Sequence, residues 1–104
     1  MTPHTATSDP DQALAEGVLA ELTSRGFLPL IEQICAARGV TPSELCGRTR
    51  TRAVACARHE LWWRIRSLPG HDHSVPEIAT WFRRDHTTVF HGITAFEKRR
   101  RSRL

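Results

Sequence analysis

The chain lacks most of what would mark an enzyme, a membrane protein or a disulfide scaffold. No apolar run in its 104 residues approaches the ~20 needed to span a bilayer. The first residues, Met1-Thr-Pro-His-Thr-Ala-Thr-Ser8, lack a basic stretch followed by an apolar core, so no signal peptide is expected. A cytoplasmic protein is the default expectation. The three cysteines, Cys35, Cys46 and Cys56, are odd in number and form no CxxC pair, which excludes a disulfide framework and a thiolate zinc site. Cys35 and Cys46 sit among apolar residues and read as small core fillers. There is no phosphate-binding GxxxxGK, no GxSxG and no locally fixed Cys–His arrangement, so no catalytic activity and no cofactor are expected. His71, Asp72, His73, His86 and His91 lie in a short span, but His86 and His91 are five apart on a helix and point to different sides. No metal site is expected from them. Internal repeats and a strand pattern are also missing.

What is present is helical periodicity. At 39% hydrophobic and 25% charged, the composition is that of one ordinary globular domain. Residues 1 to about 9 are Thr/Pro/Ser-rich and read as disordered. Leu14, Val18, Leu19 and Leu22 recur at helical spacing and predict a short amphipathic helix ending near Gly26. Its stripe is open to two uses, docking on the main domain or meeting a protein partner through residues 11–25. Residues 1–26 are therefore set apart as a flexible segment with a short helix, and 27–104 as the main domain.

A second helix is predicted from Leu28 to Arg38, with Leu30, Ile31, Ile34 and Ala37 buried and Gly39 just past its end. Thr41-Pro-Ser-Glu44 is a capping box that opens a short helix stopping at Gly47. A longer helix, about Thr51 to Leu68, carries Val54, Ala57, Leu61, Ile65 and Leu68, with Trp62 beside that stripe and Trp63 on its edge. Ser74 and Glu77 form a second capping box, and Ile78, Ala79 and Phe82 face inward. A turn of about three residues leads to a last helix, Asp85 to about Arg99, with Val89, Ile93 and Phe96 as its stripe. The whole is all-α, with a helix-turn-helix over 74–99.

Charge is uneven. Residues 1–47 hold two basic residues against six acidic ones, and residues 48–104 hold thirteen against five. The basic half calls for a polyanion. Gly47-Arg-Thr-Arg-Thr-Arg52 predicts an extended, exposed loop whose Arg48, Arg50 and Arg52 either follow a phosphate backbone, enter a narrow minor groove or stay solvated. Arg58, early in the long helix, is placed to reach a phosphate nearby. Asp85 has two readings: N-cap for Thr87 or Thr88, and acceptor for a cytosine amino group. His86, Thr87 and Thr88 bring a polar helix end to base edges, where Thr methyls also meet thymine methyls. The Lys98–Arg103 cluster reads equally as non-specific attraction or a solubilising tail.

From about Leu28 to Lys98 the chain resembles the C-terminal DNA-binding domain of the bacterial replication initiator DnaA. The resemblance rests on Ile34…Gly39-Val-Thr-Pro-Ser-Glu-Leu45, the Arg-rich loop, Ala-Arg58, Ser-Val-Pro-Glu-Ile78 and, most specifically, Arg84-Asp-His-Thr-Thr-Val89. It implies a Trp-repressor-like fold. It also implies that Arg50 enters the minor groove, that Arg48, Arg52 and Arg58 make loop and backbone contacts, and that Pro76 approaches the DNA. Arg84, Asp85, His86, Thr87 and Thr88 match the start of the recognition helix that reads the DnaA box. The family pattern differs in three places. Its Phe-Gly-Gly-Arg-Asp turn is here Phe82-Arg-Arg-Asp85, one residue shorter and without glycine, which is expected to tilt the recognition helix. Its Arg-Pro-Arg is Cys56-Ala-Arg58, and smaller residues give way to Trp62-Trp63. The AAA+ nucleotide-binding module is not among these residues, so a free-standing, nucleoid-associated DNA-binding protein acting in replication or transcription is expected. A protein-interaction adaptor and an RNA-binding helical module are the alternatives.

Overall fold

The computed structural model describes residues 10–70 and 72–102. The disorder expected for residues 1–9, and the parts assigned to His71 and Arg103, lie outside the described residues. Six helices follow in order: α1 (Pro10–Ser24), α2 (Leu28–Arg38), α3 (Pro42–Cys46), α4 (Arg52–Arg66), α5 (Val75–Phe82) and α6 (His86–Ser102). No strand occurs among the described residues, and no helix there is long and apolar enough to cross a membrane.

The helix starts are fixed by local chemistry. Thr41 accepts the Glu44 N–H at 3.1 Å while Glu44 takes back the Thr41 N–H at 2.9 Å. Ser74 and Glu77 repeat the arrangement at 3.3 and 2.9 Å. Each box satisfies two backbone donors that would otherwise lack partners. Thr51 caps α4 through the Val54 N–H. Gly39 closes α2 in the left-handed region, with φ 68°. Two details depart from the sequence reading. Ala37 is exposed, because α2 faces α4 and α3 with its 31, 34 and 35 positions, where Cys35 is buried as expected. The long helix stops at Arg66, with Ser67 as its C-cap, so Leu68 packs from the following turn.

One core joins all six helices. Val18, Leu22, Ile31, Ile34, Leu45, Leu61, Ile65, Ile78 and Val89 are all within 1% of complete burial. α1 belongs to this core: Ala15, Val18 and Leu22 are buried, and the helix packs on α3, α5 and α2. Gly26 lies in the turn between α1 and α2, but packing does not change there. Of the two uses open to the α1 stripe, it serves the first, docking on the main domain. Arg25 adds a cation–π contact, its guanidinium 4.3 Å from the Trp81 ring.

α4 and α6 form the most extensive helix pair. Trp62, 1% exposed, lies flat against α6 at Gly92. A Cβ at position 92 would sit 2.6 Å from Trp62 Cζ3 and 2.7 Å from His59 Cδ2. The Trp62 indole is thus accommodated by a close helix approach that only glycine permits. Trp63, half-buried, stacks beside Phe96 and donates its Nε1–H to Glu97 at 3.3 Å, with Arg100 above its ring.

His59 completes the α4–α6 contact. Its ring lies 5.7 Å from that of Trp62, and its Nδ1 is 3.3 Å from Arg99 Nη2. Arg can only donate, so Nδ1 accepts and the ring is neutral, with its proton on Nε2. Burial, then the charges of Arg99, Arg58 and Arg84, pull the His59 pKa from 6.5 down to about 4.

Two outcomes follow from this packing. Gly92→Ala should lower unfolding stability by about 1–3 kcal/mol through overpacking, read from urea denaturation. His59 should make the fold acid-sensitive. Above its unfolded pKa of 6.5 both states are neutral and its contribution is complete. As pH falls from about 6.5 toward about 4, the unfolded chain takes up a proton that the folded chain refuses, so stability drops. The urea midpoint should fall between pH 7 and 5, and His59→Gln should flatten that slope.

Candidate nucleic-acid interface

The candidate site is built from the loop between α3 and α4, the turn between α5 and α6, and the first turns of α6. Two arginines that look like surface cations in the sequence hold these pieces together. Arg58 is 5% exposed. Its Nε donates to Leu45 O at 2.9 Å, and its Nη2 donates to Glu44 O at 2.8 Å and Thr49 O at 3.2 Å. The guanidinium is consumed in folding the α3 end and the loop onto α4. It is not placed to reach a phosphate, which corrects that expectation. Burial first, then the neighbouring Arg84 and Arg48, lower its pKa to about 10, and it stays charged at neutral pH.

Arg84 is the second case. Half-buried, it donates from Nη2 to Gly47 O at 2.6 Å. Burial, then Arg48 and Arg50, lower its pKa. The bond ties the helix-turn-helix turn to the start of the basic loop. Arg84 therefore positions the loop through one of its guanidinium nitrogens. The converging positive charges of Arg48, Arg50 and Arg84 oppose one another in the free protein, and a polyanion would relieve them.

Arg48, Arg50 and Arg52 are exposed, as the alternating pattern predicts, and Thr51 between them caps α4. Pro76 is exposed in the first turn of α5. Asp85, His86, Thr87 and Thr88 are exposed together at the start of α6, while Val89 beneath them is fully buried. Asp85 accepts the Thr87 N–H at 3.4 Å, the long end of a capping bond, and lies 3.5 Å from His86 Nδ1. Most of its acceptor capacity is open to solvent. The last helix begins at His86 and runs to Ser102, three residues beyond the expected Arg99, and its final turn carries Arg99, Arg100 and Arg101.

The turn is built without glycine. Arg83 itself takes the left-handed region, at φ 55° and ψ 46°. Its N–H bonds to Thr80 O at 3.1 Å and the Arg84 N–H bonds to Ala79 O at 2.9 Å, the paired bonds of a Schellman end. For a residue with a Cβ this costs on the order of 1 kcal/mol. The Arg83 side chain is laid along α1, where a Cβ at Gly17 would come within 2.8 Å of its Nη2. α1 thus touches the turn directly, and Ser43 Oγ to Gln12 Oε1, at 3.4 Å, links it to α3.

Three features escape the sequence reading. The structural work of Arg58 and Arg84 is invisible because an arginine in a basic run looks like its neighbours; only their positions beside apolar stripe residues, Ala57 and Val89's turn, hinted at burial. The bracing of Arg83 by α1 needs tertiary contacts. Phe90 was legible in principle: it falls out of phase with Val89 and Ile93, and it is 54% exposed.

The arrangement predicts a specific signature for Arg58. Arg58→Ala would remove the donors to Leu45 O and Thr49 O and leave Glu44 O with only the Gly47 N–H, and it should destabilise the fold by about 3 kcal/mol, seen as a large drop in the urea midpoint. A backbone-contact arginine would instead leave the midpoint unchanged.

The cysteines conform to their role as fillers. Cys46 is buried, and its thiol pKa is pushed up to about 12, by burial first and then by Cys35, against a smaller opposing pull from Arg58. The Cys35 thiol is raised as well, by burial and Glu44.

Comparison of the sequence with known proteins identifies a family. Residues 29–95, from the start of α2 into α6, match the family described as the bacterial dnaA protein helix-turn-helix. The chain is 38% identical over 65 residues to the chromosomal replication initiator protein DnaA of Deinococcus radiodurans, a match covering 62% of this chain and 14% of that protein. It is 36% identical over 68 residues to the initiator of Deinococcus deserti, covering 65% and 14%. It is 41% identical over 59 residues to that of Dechloromonas aromatica, covering 56% and 12%. The chain thus spans a small fraction of the length of the curated relatives it matches. No solved structure gives a match. With the family pattern running through more than half of the chain and α5–α6 forming its helix-turn-helix, the protein belongs to the bacterial DnaA helix-turn-helix family.

Proposed function

We propose that the protein binds double-stranded DNA with sequence preference and acts at DnaA-box-like sites in the control of replication initiation or transcription, without catalysis of its own. The Asp85–Thr88 end of α6 enters the major groove, and Arg50 reaches the adjacent minor groove. Arg48 and Arg52 hold the backbone, and Pro76 lies close to it. The observation that carries this reading is the 2.6 Å bond from Arg84 to Gly47 O. It ties the loop to the turn that precedes the recognition helix, which supports addressing both grooves from neighbouring elements, as two-groove recognition requires. The names of the relatives, chromosomal replication initiators, support the replication context. A single copy carries both reading elements, which suits an asymmetric site.

Asp85→Asn separates reading from capping. Asn remains a good N-cap, so the unfolding midpoint should barely move. Its amide changes the hydrogen-bond pattern, so duplexes selected from a random pool should change base at one position, by about 1–3 kcal/mol of discrimination. Unchanged selection would reduce Asp85 to a cap. Salt dependence reports the phosphates. With Arg58 and Arg84 engaged internally, about three neutralised phosphates should give a slope of log affinity on log salt near −3. Undetectable duplex binding at low salt would refute the proposal.

A further inference from the structure

We infer that Phe90 is a specificity-determining residue whose ring reads the C5-methyl group of a thymine in the major groove; the inference rests on the DNA-binding reading above. Among the described residues Phe90 is the large hydrophobic side chain left exposed, at 54%. The other aromatic rings and large aliphatic side chains described are buried or half-buried. A ring in water on an otherwise well-packed domain is the informative exception.

Its position says what the ring is for. The buried side of α6 is Val89, Gly92 and Ile93. Phe90 lies off that side, one turn past His86 and three residues past Thr87, so it continues the exposed face that begins at the helix start. One helical turn advances about 5.4 Å, and the major groove is about 12 Å wide, so a second-turn side chain stays within the groove that receives the first turn. There the helix axis has begun to leave the base edges. Short side chains such as Thr87 and Thr88 serve at the near end, while a longer one is needed a turn later.

The chemistry narrows the contact. A phenyl ring offers nothing to a phosphate, so Phe90 is not a backbone contact. Its surroundings also fail to make an apolar docking patch: His86, Thr87, His91 and Thr94 around it are exposed and polar or titratable, and the ring neighbour is His91 at 5.9 Å, edge-on. In the major groove the exposed apolar group is the thymine methyl. His86 and Asp85 supply hydrogen bonds at the near end, and Phe90 supplies the apolar contact further along.

The test uses the full chain and the duplex that it selects best from a random pool. Each thymine is replaced singly by deoxyuridine, which removes only the methyl group. The wild type should lose about fourfold in affinity at one of these positions, the equivalent of one buried methyl. Phe90→Ala should bind the unmodified duplex more weakly by a similar factor and be indifferent to uridine at that position. It should remain as sensitive as the wild type elsewhere, with an unchanged urea midpoint. Equal methyl sensitivity of Phe90→Ala and wild type at every position, with both binding duplex, would overturn the inference while leaving the DNA-binding reading intact. A wild type that binds no duplex would overturn the reading beneath it and the inference with it.

Discussion

The constraint on which the site depends is a buried cation with no acidic partner among the described residues. Arg58 is held by three main-chain carbonyls, from Glu44, Leu45 and Thr49. Those carbonyls belong to the end of α3 and the loop after it, where a helix leaves acceptors unsatisfied. One planar guanidinium answers them together, because its donors form a fixed fork. The loop is consequently folded by its own interior, and Arg48, Arg50 and Arg52 are left at its surface. Arg84 adds a second tie to the same loop at Gly47, from the turn between α5 and α6. A run that looks uniformly basic in sequence is thereby divided into arginines that build and arginines that face outward.

The same division of labour extends to α1. The family match begins at residue 29, beyond the end of this helix at Ser24. Yet Val18 and Leu22 are completely buried, and Gly17 lies under the Arg83 guanidinium. The left-handed turn is formed by Arg83, a residue with a Cβ, and steadied by a helix from outside the matched residues. The turn closes as a Schellman end whose two hydrogen bonds are both made.

Much of this was legible from residue order. The two capping boxes, the end of α2 at Gly39, the exposed Arg48–Arg52 loop and the polar start of α6 follow from chemistry within four residues, and each stands as expected. What was not legible depends on partners distant in sequence. Arg58 and Thr49 are close in number, but nothing local says that the arginine turns inward. Arg84 reaches 37 positions back to Gly47. Ala37 faces outward because a small residue tolerates either side of a helix, so periodicity alone does not place it. The α1 stripe announced burial without naming its surface.

The contact of Trp62 with Gly92 has a consequence for how such a chain can change over time. An indole and an absent side chain occupy complementary halves of one space between α4 and α6. Neither position can vary alone: a smaller residue at 62 leaves a void, and any side chain at 92 collides. Substitutions at the two sites are expected to arrive as a pair, with an unfavourable intermediate between them. Relatives with smaller residues at the indole position should then carry bulk opposite it, and the pair would serve as an internal marker of which lineage of this helix-turn-helix a given chain descends from.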